Sequence, residues 1–154
     1  MKKLRSIVLG GVIAALYATL TVALAPLSYG VVQFRVSEAL TLLPFYLPEA
    51  VPGLFVGCLV ANFFGSGLLD VVVGSAATLI AAWLSRKMPW LWLAAVPPVV
   101  VNMFLVGAML HFTLELPFWS TCLYVGLGQL GACGLLGLPL MKTLEKRGIL
   151  KRRA

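Results

Sequence analysis

Between Arg35 and Pro48 the chain reads VSEALTLLPFYL (residues 36–47), and whether this stretch crosses a bilayer decides the fold. Its twelve residues fall short of the roughly 20 that an apolar α-helix needs to span the hydrocarbon, and Pro44 interrupts them. The composition supplies the setting. Of 154 residues, 61% are hydrophobic and 11% charged, with a mean hydropathy of +1.02. Soluble domains sit nearer about 45–50% apolar and about 25% charged. Too little polar surface remains to wrap a water-soluble core, and a disordered chain would be polar where this one is apolar. The chain reads as an integral membrane protein.

Outward from 36–47, further apolar runs cover residues 6–25, 50–64, 68–85, 90–110 and 118–141. The first ends at Pro26; it is longer than the apolar core of a cleaved signal, and the chain stays hydrophobic beyond it, so it reads as a helix. Counting 36–47 gives an all-α bundle of six transmembrane helices in one membrane domain spanning 1–154, with a basic tail over 142–154.

Charge placement tests that count. The formal net charge is +7, and eleven of the twelve Lys and Arg residues fall in three clusters: Lys2, Lys3 and Arg5; Arg86 and Lys87; and Lys142, Lys146, Arg147, Lys151, Arg152 and Arg153. Basic loops stay cytoplasmic. Six spans put both termini and the Arg86–Lys87 cluster inside; five spans, omitting 36–47, send the later clusters outside. The expectation is therefore a plasma-membrane protein with both termini cytoplasmic. Bases gathered into such clusters are topology signals, and nucleic acid is not an expected partner. Trp90 and Trp92 near the inner boundary suit an interfacial aromatic belt facing lipid, and Trp119, near the outer one beside the outward loops, suits either that belt or stacking on a ligand.

Soluble chemistry is poorly served. Cys58, Cys122 and Cys133 lie inside apolar spans without CxxC or Cys/His spacing, so neither a disulfide framework nor a metal site is expected. One histidine, His111, and no G-x-x-x-x-G-K-[ST] loop leave no ATP-hydrolysing motif, and no nucleophile–base pair points to an enzyme. No cofactor is called for.

Small residues form stripes. Gly10, Ala14 and Ala18 recur at i+4 in the first helix, beside Gly11, Ala15, Thr19 and Ala23, and the third helix offers Gly53, Gly57 and Ala61. Such stripes let helices approach closely in lipid. From the motif alone, packing inside this chain is favoured over a partner interface.

Ionisable groups at membrane depth are costly and mark function. On the six-span reading, Arg35, Glu38, Asn62, Asp70, Asn102, Glu115 and Gln129 all fall in the outer half or near the midplane. Carboxylates accept hydrogen bonds and amides both donate and accept. The set reads as an outward-opening pocket for a cationic, donor-rich, purine-like solute. The structural alternatives are that Arg35 and Glu38, three apart, satisfy each other, and that Asp70 is an ordinary charge at a helix start.

The block FRVSEALTLLPFYLPEAVPGLFVGCLVANFFGSGLLDVVVGSAATLIAA (residues 34–82), with PPVVVNMFLVG (97–107) and LPFWSTCLYVGLGQL (116–130), resembles the QueT family. The resemblance implies a six-helix substrate-binding S-component of an energy-coupling factor (ECF) transporter that takes up a queuosine precursor, 7-aminomethyl-7-deazaguanine. It implies an apolar first outward loop, here 26–35, over the pocket. It also implies three partners, a transmembrane coupling protein and two cytoplasmic ATPases. Ala14-x-x-x-Ala18 then matches the motif by which such components dock the coupling protein, which reverses the preference for internal packing. The family carries an acid where this chain has Gln129. The reading from a different class is a small secondary transporter or channel working alone.

Overall fold

The computed structural model describes residues 2–29 and 34–151. Helix α1 (Lys2–Ala23) is followed by the short α2 (Ala25–Ser28) and, after the connection, by a 3₁₀ helix (Val36–Phe45). Then come α3 (Ala50–Gly65), α4 (Leu68–Arg86), α5 (Leu91–Ala94), α6 (Val96–Leu114), α7 (Phe118–Gln129), a π-helical stretch (Leu130–Gly137) and α8 (Leu138–Lys146). No strand occurs among the described residues.

Four helical stretches are long and apolar enough to cross a membrane: Lys3–Ala23, Leu68–Arg86, Leu91–Leu114 and Phe118–Lys146. Val36–Phe45 and Ala50–Gly65 are apolar but shorter. Many large hydrophobic side chains point outward, among them Ile7, Phe63, Phe64, Leu68, Phe112, Trp119 and Leu135. A contiguous apolar exterior on this scale belongs in lipid. The last stretch extends past residue 141, so Lys142 and Lys146 lie on α8 and not in a tail. Beyond it Gly148, at φ 72°, closes a Schellman turn in which the Ile149 and Gly148 amides donate to the Leu144 and Glu145 carbonyls. Leu150 is thereby carried into the main apolar core with Tyr17, Leu42, Leu54 and Met141. Residues 30–33 of the expected pocket-covering loop and residues 152–154 of the expected tail lie outside the described residues.

The segment 36–47 is helical but not α-helical. An α-helical Pro44 would clash with the carbonyl four residues back, and Thr41 Oγ1 donates to the Glu38 carbonyl three residues back, at 2.6 Å. Both favour the tighter i→i+3 winding. Runs of 3₁₀ beyond about four residues are uncommon. This one persists for ten residues because protein encloses it: α1, α3, α4, α8 and the π stretch all pack against it. Ser37, Glu38, Ala39, Thr41, Leu42, Leu43 and Pro44 are buried. A 3₁₀ rise of about 2.0 Å per residue also carries ten residues roughly 20 Å, against roughly 15 Å for an α-helix.

Its principal neighbour is the π stretch. A Cβ on Gly137 would lie 2.8 Å from Leu42 Cδ1 and 3.2 Å from the Ala39 carbonyl. On Gly131 it would meet the Phe34 ring at 2.6 Å. The π stretch thus meets the 3₁₀ helix closely at Gly137, and the residue before Arg35, Phe34, at Gly131. On the opposite flank α1 packs on α3 in the same manner: a Cβ on Gly53 would lie 2.6 Å from the Gly10 carbonyl oxygen, and one on Gly57 2.7 Å from that of Ala14. The small-residue stripe of α1 thus does serve internal packing, at Gly10 and Ala14.

Candidate ligand-binding site

The polar groups gather around the first turn of the 3₁₀ helix. Glu38 is 1% exposed, Arg35 4% and Asp70 7%. Arg35, extended at φ −82°, ψ 104°, precedes the helix, and its side chain runs to α4. There Nη2 meets Asp70 Oδ2 at 3.3 Å in a buried ion pair. Its Nε donates to the Ser28 carbonyl at 3.2 Å, and its guanidinium lies 5.3 Å from the centroid of the Tyr29 ring. The alternative that Arg35 and Glu38 satisfy each other gives way to a different pairing: the Arg35 carbonyl accepts from the Glu38 amide at 3.0 Å, but with its backbone extended its side chain pairs with Asp70 of α4.

Glu38 is held from α1. The Tyr17 hydroxyl donates to Glu38 Oε1, and Thr21, one turn further along α1, shares a 2.6 Å hydrogen bond with Ser37. The Glu38 carbonyl accepts from Thr41 and, at 3.4 Å, from Cys133 Sγ of the π stretch. Cys133 lies in turn 3.8 Å from Gln129 Oε1. Gln129 is therefore buried beside the cluster.

Asn62 completes it from α3, donating to the Asp70 carbonyl at 2.9 Å and lying 3.4 Å from Cys58 Sγ. Thr78 donates to the same sulfur at 3.3 Å. Gly74 makes room for the encounter: a Cβ there would lie 2.7 Å from Asp70 Oδ1 and 2.9 Å from Asn62 Nδ2. A cavity of about 240 Å³, lined by Tyr29, Gly65, Asp70, Met109 and Thr113, opens beside Asp70. It is smaller than the roughly 300–1,000 Å³ of drug-sized ligand sites. Tyr29 closes its edge, donating to the Ala61 carbonyl at 2.6 Å. Desolvation, offset in part by Arg35, raises the Tyr29 hydroxyl above its ordinary range, so it remains a donor.

The structure thus brings Arg35, Glu38, Asn62 and Asp70 together, with Gln129 adjacent. Asn102 is buried on α6 but donates to Pro98 of its own helix at 2.9 Å, and no hydrogen bond joins it to the cluster among the described residues. Glu115 is exposed at the left-handed C-terminus of α6, φ 54°, and stands apart. Tyr17, Thr21 and Thr78 were not singled out from the sequence, because each reads as packing inside an apolar helix, and Cys58 was noted there only as a cysteine within an apolar span.

Among the described residues, three buried acceptor oxygens of the cluster have no partner: Glu38 Oε2, Asn62 Oδ1 and Asp70 Oδ1. Each such group costs about 1–3 kcal/mol while unmade, more if charged. Two carboxylates face one guanidinium. Unpartnered acceptor oxygens of this kind can take N–H or O–H donors.

The QueT transporter family profile matches residues 7–146. The queuosine precursor transporter QueT of Lactococcus lactis subsp. cremoris (strain MG1363) is 31% identical over 170 aligned residues, covering 99% of this chain and all of the relative. No solved structure matches. With a family match over nearly the whole chain and four long apolar helices, this multi-pass membrane protein is a transport protein, not an enzyme, and belongs to the QueT transporter family.

Proposed function

We propose that this chain is the substrate-binding S-component of an ATP-driven ECF importer in the plasma membrane, and that it captures 7-aminomethyl-7-deazaguanine from outside. The observation that carries the reading is the surplus of buried, unpartnered acceptors on Glu38, Asn62 and Asp70. The aminomethyl group is a cation at neutral pH, and the guanine-like edge offers N–H donors, so the complement is chemical. The relative's name supplies the substrate class. Glu38, Asp70, Asn62 and Arg35 form the proposed contact set, with Gln129 bordering it; Asn102 and Glu115 stand apart and are not part of it.

In this reading all six apolar helices cross, with both termini cytoplasmic, and the enclosed 3₁₀ helix spans with so few residues because it never faces lipid. The coupling protein docks along α1 at Ala14 and Ala18. Support comes from an apolar groove of about 350 Å³ between α1 and α3, lined by Gly10, Gly11, Ala14, Pro52, Gly53 and Val56. Gly11 has open space around it, so the α1 face beside the groove accepts a close neighbour. Two cytoplasmic ATPases supply the energy. Calorimetric titration of the purified protein with 7-aminomethyl-7-deazaguanine is the test: saturable binding is expected, and its absence for this base and its 7-deazaguanine relatives overturns the reading.

A further inference from the structure

The two carboxylates of the cluster are not equivalent. Asp70 is already matched by a cation, through the 3.3 Å contact with Arg35. Glu38 is matched by a neutral donor, the Tyr17 hydroxyl on Oε1. Its other oxygen, Oε2, is buried and without a partner among the described residues. With all three groups ionised, Arg35, Asp70 and Glu38 would carry one negative charge in excess, and Glu38 is the carboxylate with no cation in contact with either oxygen. The remaining free acceptors, Asp70 Oδ1 and Asn62 Oδ1, belong to groups that are charge-neutral as a set.

We infer that the site is divided, with Glu38 Oε2 seating the single cationic group of the ligand, Tyr17 acting as the positioning residue that aims it, and the Arg35–Asp70–Asn62 side reading neutral N–H groups. This assignment rests on the proposed function and sharpens it. Tyr17 reaches Glu38 from α1 and ties up Oε1, so one oxygen alone is left for the ligand. The backbone of Glu38 is fixed independently by Thr41 and Cys133. Loss of the Tyr17 hydroxyl therefore releases the carboxylate without releasing the helix turn that bears it. A charge-assisted bond to a buried carboxylate is about twice as strong as a neutral one, so the divided site selects amines over neutral isosteres.

The test compares two ligands on the full-length protein in detergent: 7-aminomethyl-7-deazaguanine and its neutral near-isostere, 7-hydroxymethyl-7-deazaguanine. Wild-type protein is expected to favour the amine by about tenfold or more. Glu38→Gln is expected to bring the two affinities within about threefold of each other, and Tyr17→Phe to narrow the ratio in the same direction. A merely structural role for Tyr17 would weaken both ligands together and leave the ratio in place. An amine preference that survives Glu38→Gln puts the cation elsewhere and overturns the assignment. Equal affinities for the wild-type protein overturn it even where the variants fail to fold, while leaving the queuosine-precursor reading standing. Binding of neither compound removes that reading and this one together.

Discussion

Arg35 and Asp70 show how much a single buried contact decides. Ionisable and amide residues in apolar segments stand out by composition alone, which is why Arg35, Glu38, Asn62 and Asp70 were all legible as a set in the sequence. Their pairing was not legible. Sequence spacing made Glu38 the nearest partner of Arg35, whereas the extended backbone at Arg35 sends the guanidinium to another helix. Tyr17 was invisible for a different reason, since an aromatic residue in an apolar helix carries no polar signature until its hydroxyl meets a carboxylate. Removing one partner of a buried pair strands the other charge, at a cost of about 3–5 kcal/mol. Arg35→Met is therefore expected to lower the melting temperature in detergent sharply, and the double change Arg35→Met with Asp70→Asn to recover much of the loss. Additive losses in the double variant would contradict the pair's role.

Among the elements, the most informative are the two that are not α-helices. An apolar run and the parity of the basic clusters made 36–47 a helix, and Pro44 marked it as interrupted, but nothing in composition distinguishes a ten-residue 3₁₀ run from a broken α-helix. Its winding depends on enclosure by neighbours far along the chain, as does the π stretch whose Gly131 and Gly137 accept Phe34, Ala39 and Leu42. The α1–α3 contact, in contrast, was readable from small-residue spacing, and the structure seats Gly53 and Gly57 directly on backbone atoms of Gly10 and Ala14. Backbone cannot yield as a side chain can. Gly57→Val is expected to destabilise the protein by several kcal/mol or prevent its folding, whereas Gly67→Ala, with nothing within 4 Å, should stay within about 0.5 kcal/mol. Equal thermal shifts for the two would contradict the packing described. Ala14 contributes to this contact and to the groove beside it. Replacing Ala14 and Ala18 by leucine is expected to abolish uptake in cells while calorimetric ligand binding persists; loss of both functions together would assign these residues to folding and not to docking.

At the scale of the whole molecule, charge placement and helix length answer different questions. Four stretches are long enough to span unaided, and the basic clusters require an even number of crossings if all are to lie inside. The proposed six-span reading counts the enclosed 3₁₀ helix as a crossing, on the ground that a segment surrounded by protein need not match the lipid thickness. A topology follows that labelling can check. Cysteine placed at Glu115 should react with an impermeant maleimide in intact cells, and cysteine at Lys87 only after permeabilisation, because the native Cys58, Cys122 and Cys133 are buried. The reverse pattern at both sites would invert the bundle. The net charge of +7 hides the make-up of the interior: with the clustered bases set aside, the buried cluster holds two acidic side chains, Glu38 and Asp70, and one basic one, Arg35. The measurement that reaches the central claim most directly is calorimetric titration of the purified chain, alone and without ATPases, with 7-aminomethyl-7-deazaguanine. Saturable binding near one ligand per chain is the predicted result, and no heat of binding from this base or any close 7-deazaguanine relative would contradict it.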